Sequence, residues 1–397
     1  TGLVGGAVAR GERRELIISL ERMRRIRTLN AESACIVVEA GCSLGEASRC
    51  AEREGFRLPL ALASGDSATI GGVLSTNAGG NETIRFGNAR QMVLGLEAVM
   101  ADGAVWHGLS SLRKDNRGYN LAQLLVGSEG TLGIITAASL GLKPAPQQRE
   151  AAWLSIRSPT DALKLLKLLR RSMGETVTAF ELISAQAIEF VAAHAPEWRC
   201  PVDSTAPWHV LIECDAASGG QWLREAMLGC LSDAIESIEG VDGVVAETGA
   251  QREMFWRIRE GISDAQKTGG VSLKHDISLP TDQIPGFIEG CLHDLQQRVP
   301  GIRPCVFGHL GDGNLHFNLS QPVNLLPDRF KDLEPEINAL VFERVMHLGG
   351  SIAAEHGIGL LRADWLERSL DETAFRTMQR IKQALDPLSL MNPGKVL

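Results

Sequence analysis

Short apolar runs bounded by turn residues dominate the first part of the chain. Leu16-Ile17-Ile18-Ser19-Leu20 and Cys35-Ile36-Val37-Val38-Glu39-Ala40 are rich in β-branched residues and predict strands. Ser43-Leu44-Gly45-Glu46 has the form of a capping box. It opens a helix to about Glu54, which Gly55 stops. Val93 to Met100 reads as a strand, Ala101-Asp102-Gly103 as a hairpin turn and Ala104 to His107 as the return strand. A Gly/Ser-rich stretch from Leu124 runs into a strand ending at Thr136, and Leu140 to Pro146 closes this region. A domain boundary is placed near Lys143-Pro144-Ala145-Pro146. Beyond it the apolar period lengthens. Asp161 to Arg171 and Gln221 to Ser237 predict helices, and Trp208 to Glu213 and Val241 to Ala246 predict strands. Phe255 to Ser263 predicts a helix with Arg259 and Ser263 four apart on one face. Ser272 to Leu279 predicts a strand whose polar residues line a pocket, and a last helix spans about Asp371 to Leu385. The alternation of strands and helices indicates an α+β protein built of sandwich modules.

Composition narrows the function classes. The 397 residues suffice for two or three domains, and 44% hydrophobic with 22% charged content is ordinary for a globular protein. The net charge is −8 and the densest basic stretch, Arg22 to Arg27, is short; it reads as a solvated strand face or turn. Nucleic acid is therefore not an expected partner. No apolar run reaches the ~18 residues of a membrane span. Eight cysteines are scattered without Cys-x-x-Cys spacing, which argues against an iron–sulfur or zinc-ribbon site and fits a reducing, cytoplasmic compartment. The chain begins Thr-Gly-Leu-Val-Gly-Gly rather than with Met, which reads as the middle of something.

Three glycine-rich stretches carry the candidate chemistry. Residues 1–6 form a loop able to present backbone N–H groups to a phosphate. Residues 63–80 are small, polar and glycine-dense between well-patterned segments. They do not fit a packed element; they fit a backbone that approaches a large ligand closely. Neither a Rossmann fingerprint nor a P-loop is present. The third is Gly308-His309-Leu310-Gly311-Asp312-Gly313-Asn314-Leu315-His316-Phe317-Asn318, where two histidines flank a tight reversal and His316 and Asn318 share a strand face. Imidazoles from the two arms of one hairpin are a start for a metal site. Glu355, from Glu355-His356-Gly357-Ile358-Gly359, offers a third ligand while His356 faces a substrate.

With these motifs in place, the chain resembles the flavin-linked oxidases and dehydrogenases of the vanillyl-alcohol oxidase / p-cresol methylhydroxylase superfamily, in the branch acting on D-2-hydroxy acids. The resemblance rests on Thr1 to Gly6, Ile70-Gly71-Gly72, Asn77-Ala78-Gly79-Gly80, Gly127 to Thr136, Gly308 to His316, Glu355 to Gly359 and Asn392-Pro393-Gly394-Lys395. It implies a p-cresol methylhydroxylase-type FAD-binding domain over residues 1–145, an α+β ferredoxin-like cap domain over 146–385, and a tail over 386–397 that returns to the flavin. It also implies that a βα region precedes this sequence in family members, so that the FAD domain is N-terminally truncated. By the same resemblance, non-covalent FAD is held by Thr1, Gly2, Leu3, Gly5 and Gly6, by Gly65, Asp66, Ile70, Gly71, Gly72, Thr76, Asn77, Ala78, Gly79 and Gly80, by Glu129, Gly133 and Ile135 near the adenosine and flavin, and by Asn392. His309, His316 and Glu355 match the metal ligands, the metal being Zn, Mn or Fe with Zn favoured, and His356 matches the catalytic base. Arg259, Ser263, Lys274 and Asn318 match substrate-binding positions; Ser263 stands where family members often carry Thr.

The activity implied is oxidation of a D-2-hydroxy acid, D-2-hydroxyglutarate first and D-lactate or glycolate as alternatives, with hydride passing to FAD. The dicarboxylate is favoured by Arg259 and by Lys274-His275-Asp276. The resemblance also implies an electron-transfer flavoprotein or quinone as acceptor, a homodimer, and a cytoplasmic protein with at most peripheral membrane association. Two readings stand outside this class. One is a metal-dependent hydrolase on His309, His316 and Glu355, which leaves the glycine-rich first domain without a use. The other is a catalytically silent chain that binds FAD weakly or serves as a partner.

Overall fold

A computed structural model describes residues 2–9, 11, 15–203 and 205–397. Two compact units emerge, one of residues up to Ala145 together with Glu355–Leu397, the other Pro146–Ala354.

The first unit is organised on a five-stranded antiparallel sheet of β1 (Ile26–Asn30), β2 (Cys35–Glu39), β3 (Val93–Val99), β4 (Val105–Gly108) and β5 (Ile134–Gly141), in the order β1-β2-β5-β3-β4. β3 and β4 form the expected hairpin, with the Met100 N–H donating to Ala104 O. Helix α1 (Leu44–Arg53) buries Leu44, Ala47 and Ala51 in the core cluster that also holds Ile36 and Val38 of β2 and Leu96 of β3. Each of the Leu, Ile and Val side chains contributes about 1.5–3 kcal/mol on burial. Ser43 Oγ caps α1 by accepting the Glu46 N–H. Arg22 to Arg27 is the solvent-facing turn and strand start expected, and within it Arg25 and Arg27 both bond Glu39 while Arg27 also bonds Glu97.

Two expectations for this unit are corrected. Residues 16–20 form no strand; Leu16 and Ile17 are 86% and 72% exposed. A β-branched run becomes a strand only where a partner supplies its hydrogen bonds, and β1 is the edge of this sheet. Residues 63–80 are not one open loop, because α2 (Ile70–Ser75) forms there and buries Ile70, Val73 and Leu74. The Gly71-Gly72 pair disguised it. A β-carbon on Gly71 would lie 2.9 Å from that of Ala40, so this glycine serves helix-to-strand approach.

The second unit holds β6 (Gln148–Ile156), β7 (Val177–Ser184), β8 (Trp208–Ala216), β9 (Asp242–Val245), β10 (Ser272–Leu273), β11 (Asp276–Ser278), β12 (Arg303–Gly308) and β13 (Asn314–Ser320). The order is β9-β6-β8-β7-β12-β13-β10, and β11 also pairs with β13. The single strand expected over 272–279 is thus two short ones. His275 sits in the gap, taking the Phe317 N–H on its carbonyl and placing Nδ1 3.0 Å from Phe317 O. The helix expected from Asp161 begins earlier, as α3 (Pro159–Met173), because Ser158 Oγ accepts the Asp161 N–H. The helix expected over Phe255–Ser263 is the middle of α4 (Gly249–Thr268). Its buried residues Phe255, Ile258 and Ile262 pack with Trp153, Ile183, Leu211 and Phe307 of the sheet.

By compactness, residues 355–397 group with the first unit and the second unit runs to Ala354. The chain beyond it spends its hydrogen bonds on the first unit. The Leu360 and Leu361 N–H groups donate to Val4 O, and Lys382 Nζ donates to Thr131 O.

Candidate functional site

In the second unit, the reversal Gly308 to Asn314 is the turn of the β12–β13 hairpin. Gly308 and Gly313 take φ of 152° and 91°, the latter open to few residues but glycine. His309 leaves the end of β12 and His316 lies on β13, with ring centroids 5.6 Å apart. His309 Nδ1 is 2.6 Å from Glu181 Oε1, and His316 Nδ1 is 3.7 Å from Asp276 Oδ1. A carboxylate beside one ring nitrogen is the arrangement that orients metal-binding histidines in general. Two imidazoles backed by buried acids therefore suit a borderline divalent ion by donor chemistry.

Glu181 ties this pair to Arg259. It is fully buried on β7, and its Oε2 accepts from Arg259 Nε at 2.8 Å. Burial alone would raise its pKa; the charges of His309 and Arg259 outweigh that and hold it down at about 2. The Arg259 guanidinium is buried over the Phe307 ring, 4.8 Å from its centroid. Asn318 lies on the same β13 face as His316, but its Nδ2 donates to Gln266 Oε1 on α4. Ser263 and Lys274 are both exposed, so two of the four expected substrate groups are open to solvent and two are embedded in polar pairs. Burial and the neighbouring Lys267 lower the Lys274 pKa. Glu181, Gln266 and the buried placement of Asp276 escaped the sequence reading. The available signal for Glu181 was one acid inside the wholly buried run Val177–Ser184.

In the first unit, the expected cofactor residues divide by exposure. Asp66 and Gly72 are exposed, as are the flanking Ala63, Ser64 and Ser67; Gly65 is half-buried. Ile70, Gly71, Ala78, Gly79, Gly80, Gly133 and Ile135 are buried. The amides of Ile70 and Gly71 donate to Cys42 O and Ala40 O, and that of Gly72 to Thr69 Oγ1, so this helix start is already satisfied by its own protein. Asn77 takes φ of 49° and accepts the Arg90 N–H through Oδ1, while Thr76 Oγ1 bonds Gly72 O. Thr1 lies outside the described residues; Gly2 and Leu3 are exposed, and Gly5 and Gly6 half-buried.

Around Gly5 and Gly6 three segments meet. Glu129 Oε1 and Oε2 accept the Ile358 and Gly359 N–H groups at 2.7 and 2.8 Å. Asn392 Nδ2 donates to Gly6 O and Glu129 O, and Lys395 Nζ to Gly5 O. Asn392, expected to reach a flavin ring, thus has its amide engaged with main-chain carbonyls. Burial raises the Glu129 pKa against the opposing pull of the Ile358 and Gly359 N–H groups. Glu355 and His356 precede these amides in the same loop, and a β-carbon on Gly79 would lie 2.7 Å from Glu355 Oε1.

Comparison with known proteins shows the family. Residues 145–396 match the family of FAD linked oxidases, C-terminal domain, and residues 1–108 match an FAD binding domain. The chain is 38% identical over 401 residues to D-2-hydroxyglutarate dehydrogenase, mitochondrial, of Arabidopsis thaliana, covering all of this chain and 69% of that protein. It is 34% identical over 398 residues to D-2-hydroxyglutarate dehydrogenase of Xanthomonas citri pv. viticola, covering all of this chain and 82% of that protein. Among solved structures, p-cresol methylhydroxylase with substrate bound superposes with a TM-score of 0.70 at 17% identity, covering 95% of this chain and 78% of that one.

Proposed function

The chain belongs to the FAD-linked oxidases, and from that premise we propose that it oxidises a D-2-hydroxy acid, D-2-hydroxyglutarate in the first place, to the 2-oxo acid. The observation that carries this reading is the pair of imidazoles backed by Glu181 and Asp276, with Arg259 drawn into the same buried network. The similarity, over the whole of this sequence and 69% and 82% of the two relatives, to proteins named for D-2-hydroxyglutarate supports the substrate. The small exposed backbone at 63–67 and Gly72 supports a ligand laid against main chain, where a larger side chain would intervene.

In this reading FAD, when bound, would supply the hydride-accepting chemistry, with an electron-transfer flavoprotein or quinone as the proposed electron acceptor. His309, His316 and Glu355 would hold a divalent cation, Zn favoured, and such an ion would supply Lewis-acid chemistry at a substrate hydroxyl. His356 takes the hydroxyl proton. Arg259 and Lys274 bind substrate carboxylate by charge-assisted hydrogen bonds, aided by Ser263 and Asn318. The side chains' part is to fix the hydroxyl and carboxylates before the Cα–H bond breaks. In cells the chain acts in the cytoplasm, at most peripheral to a membrane, as a homodimer; among the described residues no helix is long and apolar enough to cross one.

The test is an anaerobic visible spectrum of the protein supplied with FAD and Zn²⁺. D-2-Hydroxyglutarate is expected to bleach the oxidised flavin band, and prior treatment with EDTA to slow the bleaching at least about a hundredfold, the scale of losing a Lewis acid worth several kcal/mol. Bleaching by D-lactate alone replaces the substrate assignment. A protein that takes up flavin and is bleached by neither acid refutes the activity.

A further inference from the structure

We propose that Glu129 is a positioning residue that acts through the main chain of the His356 loop, rather than a contact to the cofactor. The inference rests on the proposed role of His356. Its physical ground lies wholly within the first unit.

Glu129 is 9% exposed and takes φ of 52°, the left-handed region, which a glutamate occupies only where its surroundings demand it. The demand is visible at every polar atom. Its N–H donates to Ser75 O, and its carbonyl accepts from Asn392 Nδ2. Its two carboxylate oxygens accept one N–H each from consecutive residues, Ile358 and Gly359. Consecutive amides pointed at one anion form a nest, ordinarily a site for a bound phosphate or carboxylate. Here the protein fills its own nest with a side chain 229 residues away in sequence.

The glycines of the loop are those that this fit requires. A β-carbon on Gly357 would lie 2.6 Å from Glu129 Oε1, and one on Gly6 would lie 2.9 Å from Oε2. Gly357 and Gly359 also take φ of 82° and 53°. Residues 355–359 belong to no helix or strand, so the loop lacks a ladder to hold it. Gly359 O also accepts the Val396 N–H, and Ile358 O accepts the Arg362 N–H. His356 is one peptide from the glycine that closes on the carboxylate. It lies two residues from an amide that this carboxylate holds. A carboxylate suits the task and an amide does not, because glutamine would turn an NH₂ toward one of the two N–H donors.

The experiment is hydrogen–deuterium exchange and steady-state kinetics on the full chain, FAD and Zn²⁺ supplied, for wild type and Glu129→Gln. Exchange at the Ile358 and Gly359 amides is expected to rise about tenfold or more, as a lost buried acceptor implies, with β5 unchanged. kcat is expected to fall about tenfold or more while KM moves less than about threefold, with bound flavin at the wild-type level. Gly357→Ala, whose methyl presses on the same carboxylate, is the second variant and is expected to loosen the same amides. Unchanged exchange at 358–359 in both variants overturns the proposal, as does loss of flavin from Glu129→Gln with those amides still protected. Local loosening in a wild-type protein that oxidises no 2-hydroxy acid supports the loop assignment and refutes the activity, so the two failures are distinct.

Discussion

Replacing His356 by Asn is expected to slow anaerobic flavin reduction by D-2-hydroxyglutarate about 10²–10⁴-fold, the range that a positioned general base contributes. Asparagine keeps a hydrogen-bonding side chain of similar reach and removes the basic nitrogen, so the loss isolates proton transfer. The residue sits in a loop held by main-chain bonds of Ile358 and Gly359, not by its own backbone in a helix or strand. The substitution should therefore leave the fold alone. Stopped-flow reduction measures the rate, and bound flavin with the urea midpoint serves as the control for structure. A variant reduced at the wild-type rate would remove His356 from the chemistry. A variant that loses flavin would instead show His356 to be a structural residue.

The largest effect on stability is expected at Glu181. Removing this carboxylate in Glu181→Ala leaves the Arg259 guanidinium buried, with its ion pair at 2.7 Å gone and His309 without its acid. Breaking a buried pair from one side costs about 3–5 kcal/mol, because the remaining charge stays desolvated. The fall in the urea midpoint, with the slope unchanged, measures it. The same residue sets an acid limit. Its folded pKa of about 2 lies below the ordinary 4.5, so the folded state favours the ionised form. That contribution is complete above about 4.5 and is lost as pH falls toward 2. Wild type should lose stability across this window more steeply than Glu181→Ala. Parallel pH profiles would show that Glu181 is not ionised in the folded chain. Loss of Zn²⁺ affinity in Glu181→Gln, read by calorimetry, would link the same carboxylate to His309 as a ligand.

Legibility followed the range of the interactions. The β3–β4 hairpin, the Ser43-capped helix and the β12–β13 reversal were readable because each is decided by residues within a few positions: an Asp-Gly turn, a hydroxyl three residues from an N–H, glycines at a bend. The candidate residues His309, His316, Glu355 and His356 were readable for the same reason, as polar residues packed beside glycines where apolar patterning stops. Residues 16–20 and α2 were misread because pattern alone does not reveal whether a partner strand exists, or whether a Gly-Gly pair marks an open loop or a close approach.

What the sequence by itself determined is therefore the inventory: the class of fold, the glycine-rich segments, and which imidazoles and carboxylates are available for chemistry. What only the tertiary structure decided is their state. It alone places Glu181 between His309 and Arg259, 128 and 78 residues away, and sets Glu129 into the amides of a loop 229 residues downstream. The physical reason is that a buried charge is tolerable only with its partners assembled. Those partners come from different strands, helices and loops, so no local window of sequence contains the energy that fixes them.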